Sequence, residues 1–428
     1  MPLSRLVAPV CLFACLVEMD PEFLSLLFTR KTMQTLVIDN GSHTVKAGFT
    51  TSDTPMVVHN SVVKAQSIKN RVFAGPEFEK VKERVSLTFT SPFEKGYITN
   101  WGTQMSIWDP LFGEDCLNID PKSTRLMLTD PLDVLQVIKD KSPEIVFEVY
   151  GFQALKKAGG PVCVGIPLEL HPPEPHLCLV VDCGHLATHF VPMMNGQILK
   201  GGVKQLRLGG KHLTDKLKEW ISYRHLNVQN DVYLVNECKE KSCFVSQNFS
   251  DDERTIALNN IVCDYTLPDF YELYEGVLHE PNSKTVSKYI YAQSFKMGME
   301  RIAVPEIMFN PNDIGVNSLG VAEGIWHTLQ QLPEKYHGRI LKNIILVGGT
   351  TKFPGFKKKL ETDLRSMVPA IYNVEVRQPE NPDTHIWQCA KRVAEFDEDP
   401  YGFVTKEEYY EHGLKNCLWR FDRNTTLF

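Results

Sequence analysis

Leu36-Val37-Ile38-Asp39-Asn40-Gly41 and Leu179-Val180-Val181-Asp182-Cys183-Gly184 repeat one order: an apolar run, an aspartate, one residue, a glycine. An apolar run bounded by a glycine turn reads as a buried strand, and the aspartate then stands where that strand leaves the core. Each run is followed by a return strand. The first is Val45-Lys46-Ala47-Gly48-Phe49; the second is Thr188-His189-Phe190-Val191-Pro192, which leads into Met194-Asn195-Gly196-Gln197, where Asn-Gly marks a further hairpin. The chain therefore reads as α/β and two-lobed, with each lobe opening on a strand, an acid and a glycine turn. A third glycine loop, Ile344-Ile345-Leu346-Val347-Gly348-Gly349-Thr350, is again strand, double glycine, then helix.

These residue types suit one kind of ligand. Glycine at the end of a strand lets the main chain approach a ligand closely, so amides in Gly41-Ser42-His43-Thr44 and Cys183-Gly184-His185-Leu186 can face phosphate oxygens from two opposed hairpins. Lys46 would bring positive charge to those phosphates. Asp39 and Asp182 are hard oxygen ligands of the sort Mg²⁺ uses, a cation that binds through few carboxylates plus phosphate. Gly348, Gly349 and Thr350 would pass beneath the nucleoside of the same ligand. Each piece taken singly also reads as an ordinary turn, and Lys46 as a solvated strand residue; their order along the chain is what joins them. Lys357-Lys358-Lys359 reads as the exposed face of the helix after Gly355 rather than as a nucleic-acid contact.

Composition narrows the class further. The 428 residues are 43% apolar and 23% charged, enough for about three domains, or two large lobes, with buried cores. A net charge of -6 gives no whole-surface positive field for nucleic acid or anionic lipid. Eleven cysteines without a C-x-x-C pair argue against a zinc site or disulfide framework and fit a reducing compartment. Leu6 to Val17 has the length of the apolar part of a signal peptide, yet no small-x-small cleavage site follows it. Residues 1–32 are read as an appendage, with Met33 as the start of the fold.

The remaining expectations concern organisation. Residues 50–92 are a small excursion, with Val81-Lys82-Glu83-Arg84 as solvated surface. A helix through Ile107, Trp108, Leu111 and Phe112 buries one face, with Trp101 and Trp108 in the core. Leu126–Asp130 is a buried strand closed by Asp130-Pro131. Ile145, Val146, Phe147 and Val149 lie on a helix that ends near Phe152-Gln153-Ala154-Leu155. Pro172-Pro173-Glu174-Pro175 is a stiff joint between lobes. Gly209-Gly210 opens a helix through Leu217, Trp220 and Ile221; Ser250-Asp251-Asp252-Glu253-Arg254 is a polar loop; Pro305 begins another ordered block; Val321 to Leu332 is helical. Lobe one is assigned 33–171 plus 385–428, and lobe two 172–384.

Several stretches carry a resemblance. Asp39-Asn40-Gly41-Ser42 with Lys46-Ala47-Gly48-Phe49, Gly96-Tyr97-Ile98-Thr99-Asn100-Trp101, Glu300-Arg301 through Pro305-Glu306 and Phe309, and Gly348-Gly349-Thr350-Thr351-Lys352-Phe353-Pro354-Gly355 resemble the actin family, in continuous order from residue 33 to about 422. Within it, Leu213–Glu219 with Ser222-Tyr223-Arg224, Tyr265–Phe270, Phe309–Gly315 and Pro379-Glu380-Asn381-Pro382 resemble a nuclear actin-related branch. The resemblance implies an actin-like ATPase fold: duplicated ribonuclease-H-like sheets around a cleft that holds ATP or ADP with Mg²⁺. It implies Asp39 and Asp182 as metal-associated acids and Lys46 as the phosphate lysine, with Asn40, Gly41, Ser42 and Gly184 at the phosphates. Gln153 and His189 would position water; Gly348, Gly349, Thr350 and Phe353 would lie beside the nucleoside, and Lys239 and Glu240 at the adenosine.

Departures from the family pattern shape the expected role. His185 and Leu186 replace an acid and a glycine, Phe353 replaces a tyrosine, and Asp383 stands near an expected lysine. The segment before Phe93 also differs from the family's polymer contact. The resemblance implies a non-catalytic nuclear subunit of a Swr/SRCAP-type remodelling complex, one that exchanges a variant histone into nucleosomes. Its partners would be a motor ATPase subunit, a zinc-finger HIT-domain subunit and, through the complex, the nucleosome and histones, with no membrane; its location would be the nucleus with some cytoplasmic. The competing expectation is an autonomous actin-like ATPase or filament-forming cytoskeletal protein. A sugar kinase on the same fold lacks a recognisable substrate-binding acid loop.

Overall fold

A computed structural model describes residues 33–65, 71–81, 84, 86–132, 141–167, 174–256, 261–279, 292–395, 402–423 and 426–427. Residues 1–32, Lys82, Glu83, Pro172 and Pro173, on which expectations were placed, lie outside the described residues.

The first sheet grows from the opening hairpin. Gln34–Asn40 (β1) pairs antiparallel with Thr44–Phe49 (β2), which pairs antiparallel with Met56–His59 (β3). On its other side β1 runs parallel to Thr124–Asp130 (β4), and β4 parallel to Ala154–Gly159 (β5). The second sheet repeats the plan. Leu177–Cys183 (β6) pairs antiparallel with Thr188–Met194 (β7), which continues through Asn195 and Gly196, both at positive φ, into Gln197–Leu199. On its other side β6 runs parallel to Ile344–Val347 (β8), and β8 parallel to Val376–Arg377. Equivalent registers follow: Asp39 faces Lys46 across the first hairpin, and Asp182 faces His189 across the second.

Three apolar layers hold this arrangement. One covers an outer face of the first sheet, where Ile107, Trp108 and Leu111 of helix α1 (Trp101–Phe112) are fully buried and Trp108 shares one apolar cluster with Leu36, Ile38 and Leu126. Another fills the second lobe around Leu179, Val181, Leu213, Leu217 and Leu346, from helix α2 (Gly210–Arg224) and its neighbours. The third lies between the two sheets: Val37, Met127 and Ala158 from one, Cys178, Val180, Val191 and Val347 from the other. Trp387, fully buried on the helix His385–Glu395, completes that layer and donates from Nε1 to the Val37 carbonyl at 3.0 Å. Each such large apolar side chain contributes about 1.5–3 kcal/mol by leaving water, so the join between lobes is itself a core.

The structure corrects several local expectations. Ala154 and Leu155 begin β5 rather than end a helix, because Gly151 takes the left-handed conformation, at φ 79°, and stops the helical stretch Ile145–Tyr150. Ser250–Arg254 lies inside the helix Phe249–Ile256, whose first turn holds Asp251 and Asp252 where the helix dipole favours acids. Pro305 lies inside the helix Glu300–Glu306; the Arg301 carbonyl that a proline cannot bond accepts instead from Phe244 N at 3.0 Å. Val81 is buried, and Lys359 is buried too, 3.2 Å from Glu306, while Lys357 and Lys358 are exposed. Trp101 is only half-buried. Cys263–Thr266, Val277–His279 and Ser294–Met297 form a small separate sheet in the second half of the chain. At the far end of the chain, Thr426–Leu427 pairs with Ile198 and Leu199, so those residues sit on the second sheet rather than with lobe one.

Candidate nucleotide cleft

The parallel strands β1, β4 and β5 end at one edge of the first sheet, and β6 and β8 end at the facing edge of the second. Ligands in sheets of this kind bind beyond the carboxyl ends of the strands. A cavity of about 690 Å³ lies there, lined by Asp39, Asn40, Gly41, Ser42, Lys46, Asp182, Gly184, His189, Lys239, Glu240, Gly348, Gly349, Thr350 and Phe353. Residues spread over the chain, and read as one site from the sequence, are thus brought together.

Gln153 is the exception. It precedes β5 at the strand's amino end, its backbone bonded to Thr124 and Lys406. The cleft lies at the other end, about 20 Å away at ~3.3 Å per residue. Gln153 cannot position water in this cleft. What β5 delivers to the cavity wall is Gly160 and Pro161, neither with a side chain that can hold a water.

The acids are arranged as a pair sharing one cation. Asp39 is buried, lies 3.5 Å from Lys46 Nζ and accepts from Thr129 Oγ1 at 2.8 Å. Burial pushes the Asp182 carboxyl up to about 7, the neighbouring Asp39 adds to the rise, and Lys46 opposes it. One lysine therefore serves two carboxylates, an excess of negative charge that a divalent cation would satisfy. The residues present fit a Mg²⁺–phosphate group.

Each turn is fixed by its own set of bonds. Asn40 Nδ2 donates to Gln104 Oε1 at 3.2 Å, while Asn60 Nδ2 donates to Asn40 Oδ1 at 3.2 Å and to the Gly41 carbonyl at 2.7 Å. Asn40 lines the cavity, but its amide is committed to this buried network. In the second turn Gly184 N donates to the Ala187 carbonyl at 3.0 Å, so this amide closes the hairpin instead of joining a nest for phosphate. The Gly184 carbonyl accepts from Thr350 Oγ1 at 2.9 Å and Gly210 N at 3.1 Å, tying the turn to the third glycine loop and to α2. Gly348, at φ 94°, approaches so closely that a Cβ there would collide with the Cys183 carbonyl. Lys239 is buried on helix α3 (Val232–Ser242), and its Nζ donates to the Gly210 carbonyl, Thr214 Oγ1 and Asn236 Oδ1 at 3.2, 2.8 and 2.8 Å. Asp383 pairs with Lys352 at 3.1 Å, placing a lysine of the third loop beside the unexpected acid.

Sequence reasoning missed what joins the turns. His43 of the first turn and His185 of the second stack across the cleft, ring centroids 4.4 Å apart and planes at 22°, with His59 edge-on to His43 at 5.0 Å. Burial pushes all three well below the ordinary imidazole range, His185 to about 3 and His59 to about 4; neighbouring cationic groups add to this, including Lys239 beside His43 and His185 and Arg84 beside His59. All three are neutral near pH 7. The available signal was positional: each turn carries a histidine just past its glycine. A second bridge runs from Arg84, which packs over the rings of Phe78 and Tyr233 and bonds the Tyr233 hydroxyl, while Ser86 N donates to Asp231 Oδ1 at 3.0 Å.

Comparison with known proteins agrees with this geometry. The sequence profile described as actin matches residues 30–422. The chain is 36% identical over 390 residues to an actin-like protein of Caenorhabditis elegans, covering 89% of this chain and 91% of the relative. It is 34% identical over 401 residues to actin-related protein 6 of Drosophila melanogaster, covering 90% and 99%. Against actin-related protein 6 of Dictyostelium discoideum it is 29% identical over 460 residues, covering 90% and 94%.

Proposed function

This chain belongs to the actin family, and from that premise we propose that it is a non-catalytic, nucleotide-holding nuclear subunit of a Swr/SRCAP-type remodelling complex that exchanges a variant histone into nucleosomes. In that role it contributes to transcription regulation and heterochromatin organisation. Its partners are the motor ATPase subunit, a zinc-finger HIT-domain subunit and, through the complex, the nucleosome; it resides in the nucleus with a cytoplasmic fraction. Relatives named actin-related protein 6 support the branch. The observation that carries the non-catalytic reading is the cleft itself: the opposed turns are joined by the His43–His185 stack, and β5 presents Gly160 and Pro161 where a water-holding side chain would be needed.

The chain's own residues then hold rather than transform. Lys46 would meet phosphate oxygens, Asp39 and Asp182 would face Mg²⁺, Gly348, Gly349 and Thr350 would lie under the nucleoside with Phe353, and Lys239 and Glu240 would border the adenosine. Bound nucleotide and cation supply opposite charges that link the two acid turns. Because the turns belong to different sheets, that linkage fixes one relation between the lobes, the property a structural subunit needs.

Affinity purification of the tagged full chain from nuclear extract, with identification of the co-purifying subunits, tests the proposal. Recovery of a motor ATPase with a zinc-finger HIT-domain protein is expected; recovery of neither counts against it. The convergence of Asp39, Lys46, Asp182 and His189 in one cleft favours a second reading, an autonomous ATPase or filament former. Sedimentation with Mg²⁺-ATP separates the two, because a pelleting polymer contradicts the subunit reading.

A further inference from the structure

The stacked histidines stand at a boundary. A second cavity of about 460 Å³ adjoins the cleft on the side of the excursion, and His43, His59, His185, Ser42 and Leu186 line both spaces. They form the wall between them. On the cleft side lie the acids, Lys46 and the third glycine loop; on the other lie Phe89, Lys211, Asp215 and Gln229.

Lys46, the third glycine loop and both turns line one cavity, so a phosphate chain held at Lys46 would face the gap between the two turns. In this chain that gap holds imidazole. His43 and His185 lie face to face at 4.4 Å, a separation with no room for a phosphate between the rings, and His59 backs His43 while packing edge-on against the buried Phe78 at 5.1 Å. The Gly184 amide is already bonded to Ala187, and the carbonyls of Gly184 and His185 accept from the Gly210 and Lys211 amides at 3.1 and 2.8 Å, so the amides that open α2 are engaged too. Desolvation keeps both stacked rings uncharged near pH 7, and they offer no positive charge to a further phosphate.

We propose that this cleft selects a nucleoside diphosphate over a triphosphate, because the His43–His185 stack occupies the position that a terminal phosphate would take. The proposal rests on the reading of the cleft as nucleotide-holding and adds the ligand class. A triphosphate must part the rings, breaking their contact and disturbing the wall to the second cavity. A diphosphate stops short of them and uses Lys46 and the two acids. On this account the ligand that links the lobes needs no hydrolysis to reach its bound form.

Isothermal titration calorimetry on the full chain at pH 7.5 with Mg²⁺ tests this, using ADP, the non-hydrolysable triphosphate AMP-PNP, and adenosine. The wild-type protein is expected to bind ADP at least tenfold more tightly than AMP-PNP. In the His43→Gly/His185→Gly double variant, confirmed folded by circular dichroism, the ratio should fall below threefold through a gain for the triphosphate. AMP-PNP binding as tightly as ADP to the wild type overturns the selectivity and leaves the nucleotide reading standing. An unchanged ratio in the folded double variant removes the stack as its cause. Failure of all three ligands to bind overturns the nucleotide reading and this inference together. The wild-type comparison needs no variant, so a double variant that does not fold leaves the test intact.

Discussion

Replacing Asp182 with asparagine is expected to stabilise the metal-free protein at pH 8. The carboxyl sits at about 7 in the folded protein against 3.8 when unperturbed, raised by burial and then by Asp39. Between those values the folded chain keeps a proton that the unfolded chain has released, so this group's contribution to stability falls as pH rises from about 4 to about 7. A shift of that size corresponds to about 4 kcal/mol at pH 8, an upper bound because the cleft can relax around the charge. Asparagine keeps the shape and removes the charge. Urea unfolding of the wild type and Asp182→Asn, without divalent cation from pH 4 to pH 8, reads the difference directly, and groups shared by both proteins cancel. The variant should gain stability relative to the wild type as pH rises, with little difference at pH 4; adding Mg²⁺ at pH 8 should raise the wild type more than the variant. A variant that is less stable at pH 8, or a difference that does not change with pH, refutes the electrostatic argument for this site.

His185 acts with the opposite sign. Its folded value of about 3 lies below the unperturbed 6.5, so the unfolded chain takes up the proton first and stability is lost as pH falls from 6.5 toward 3; thermal melts of His185→Asn should lose part of that acid sensitivity relative to the wild type. Gly348→Ala forces a Cβ toward the Cys183 carbonyl at a left-handed φ of 94°, and chemical denaturation should show a loss of about 3 kcal/mol or more. Lys239→Met removes three charge-assisted bonds between α2 and α3, while Thr214 Oγ1 still bonds the Gly210 carbonyl and Asn236 Oδ1; a loss of about 1.5–3 kcal/mol is expected in the same assay.

The repeat that was legible in the sequence is the part of the fold set by local chemistry. An apolar strand, an acid and a glycine turn need only neighbours along the chain, and Asp39, Lys46, Asp182, Gly184 and Gly348 all reach one cavity. What could not be read depends on pairing across the cleft. The stack of His43 on His185 joins residues far apart in the chain, and no periodicity announces it. Gln153 failed for a related reason: the resemblance placed the residue type, but Gly151 ends the helix earlier, and the strand that follows reaches the cleft with Gly160 instead. The helix Phe249–Ile256 was hidden by being polar on most of its surface, and Lys359 by a partner, Glu306, on a distant element.

Multiple-turnover hydrolysis of Mg²⁺-ATP by the purified chain, followed as phosphate release, tests the central claim that this cleft clasps the two lobes and does not drive a reaction. Release at the rate of the protein-free control is the predicted result. Rapid, metal-dependent release that Asp182→Asn abolishes would contradict it.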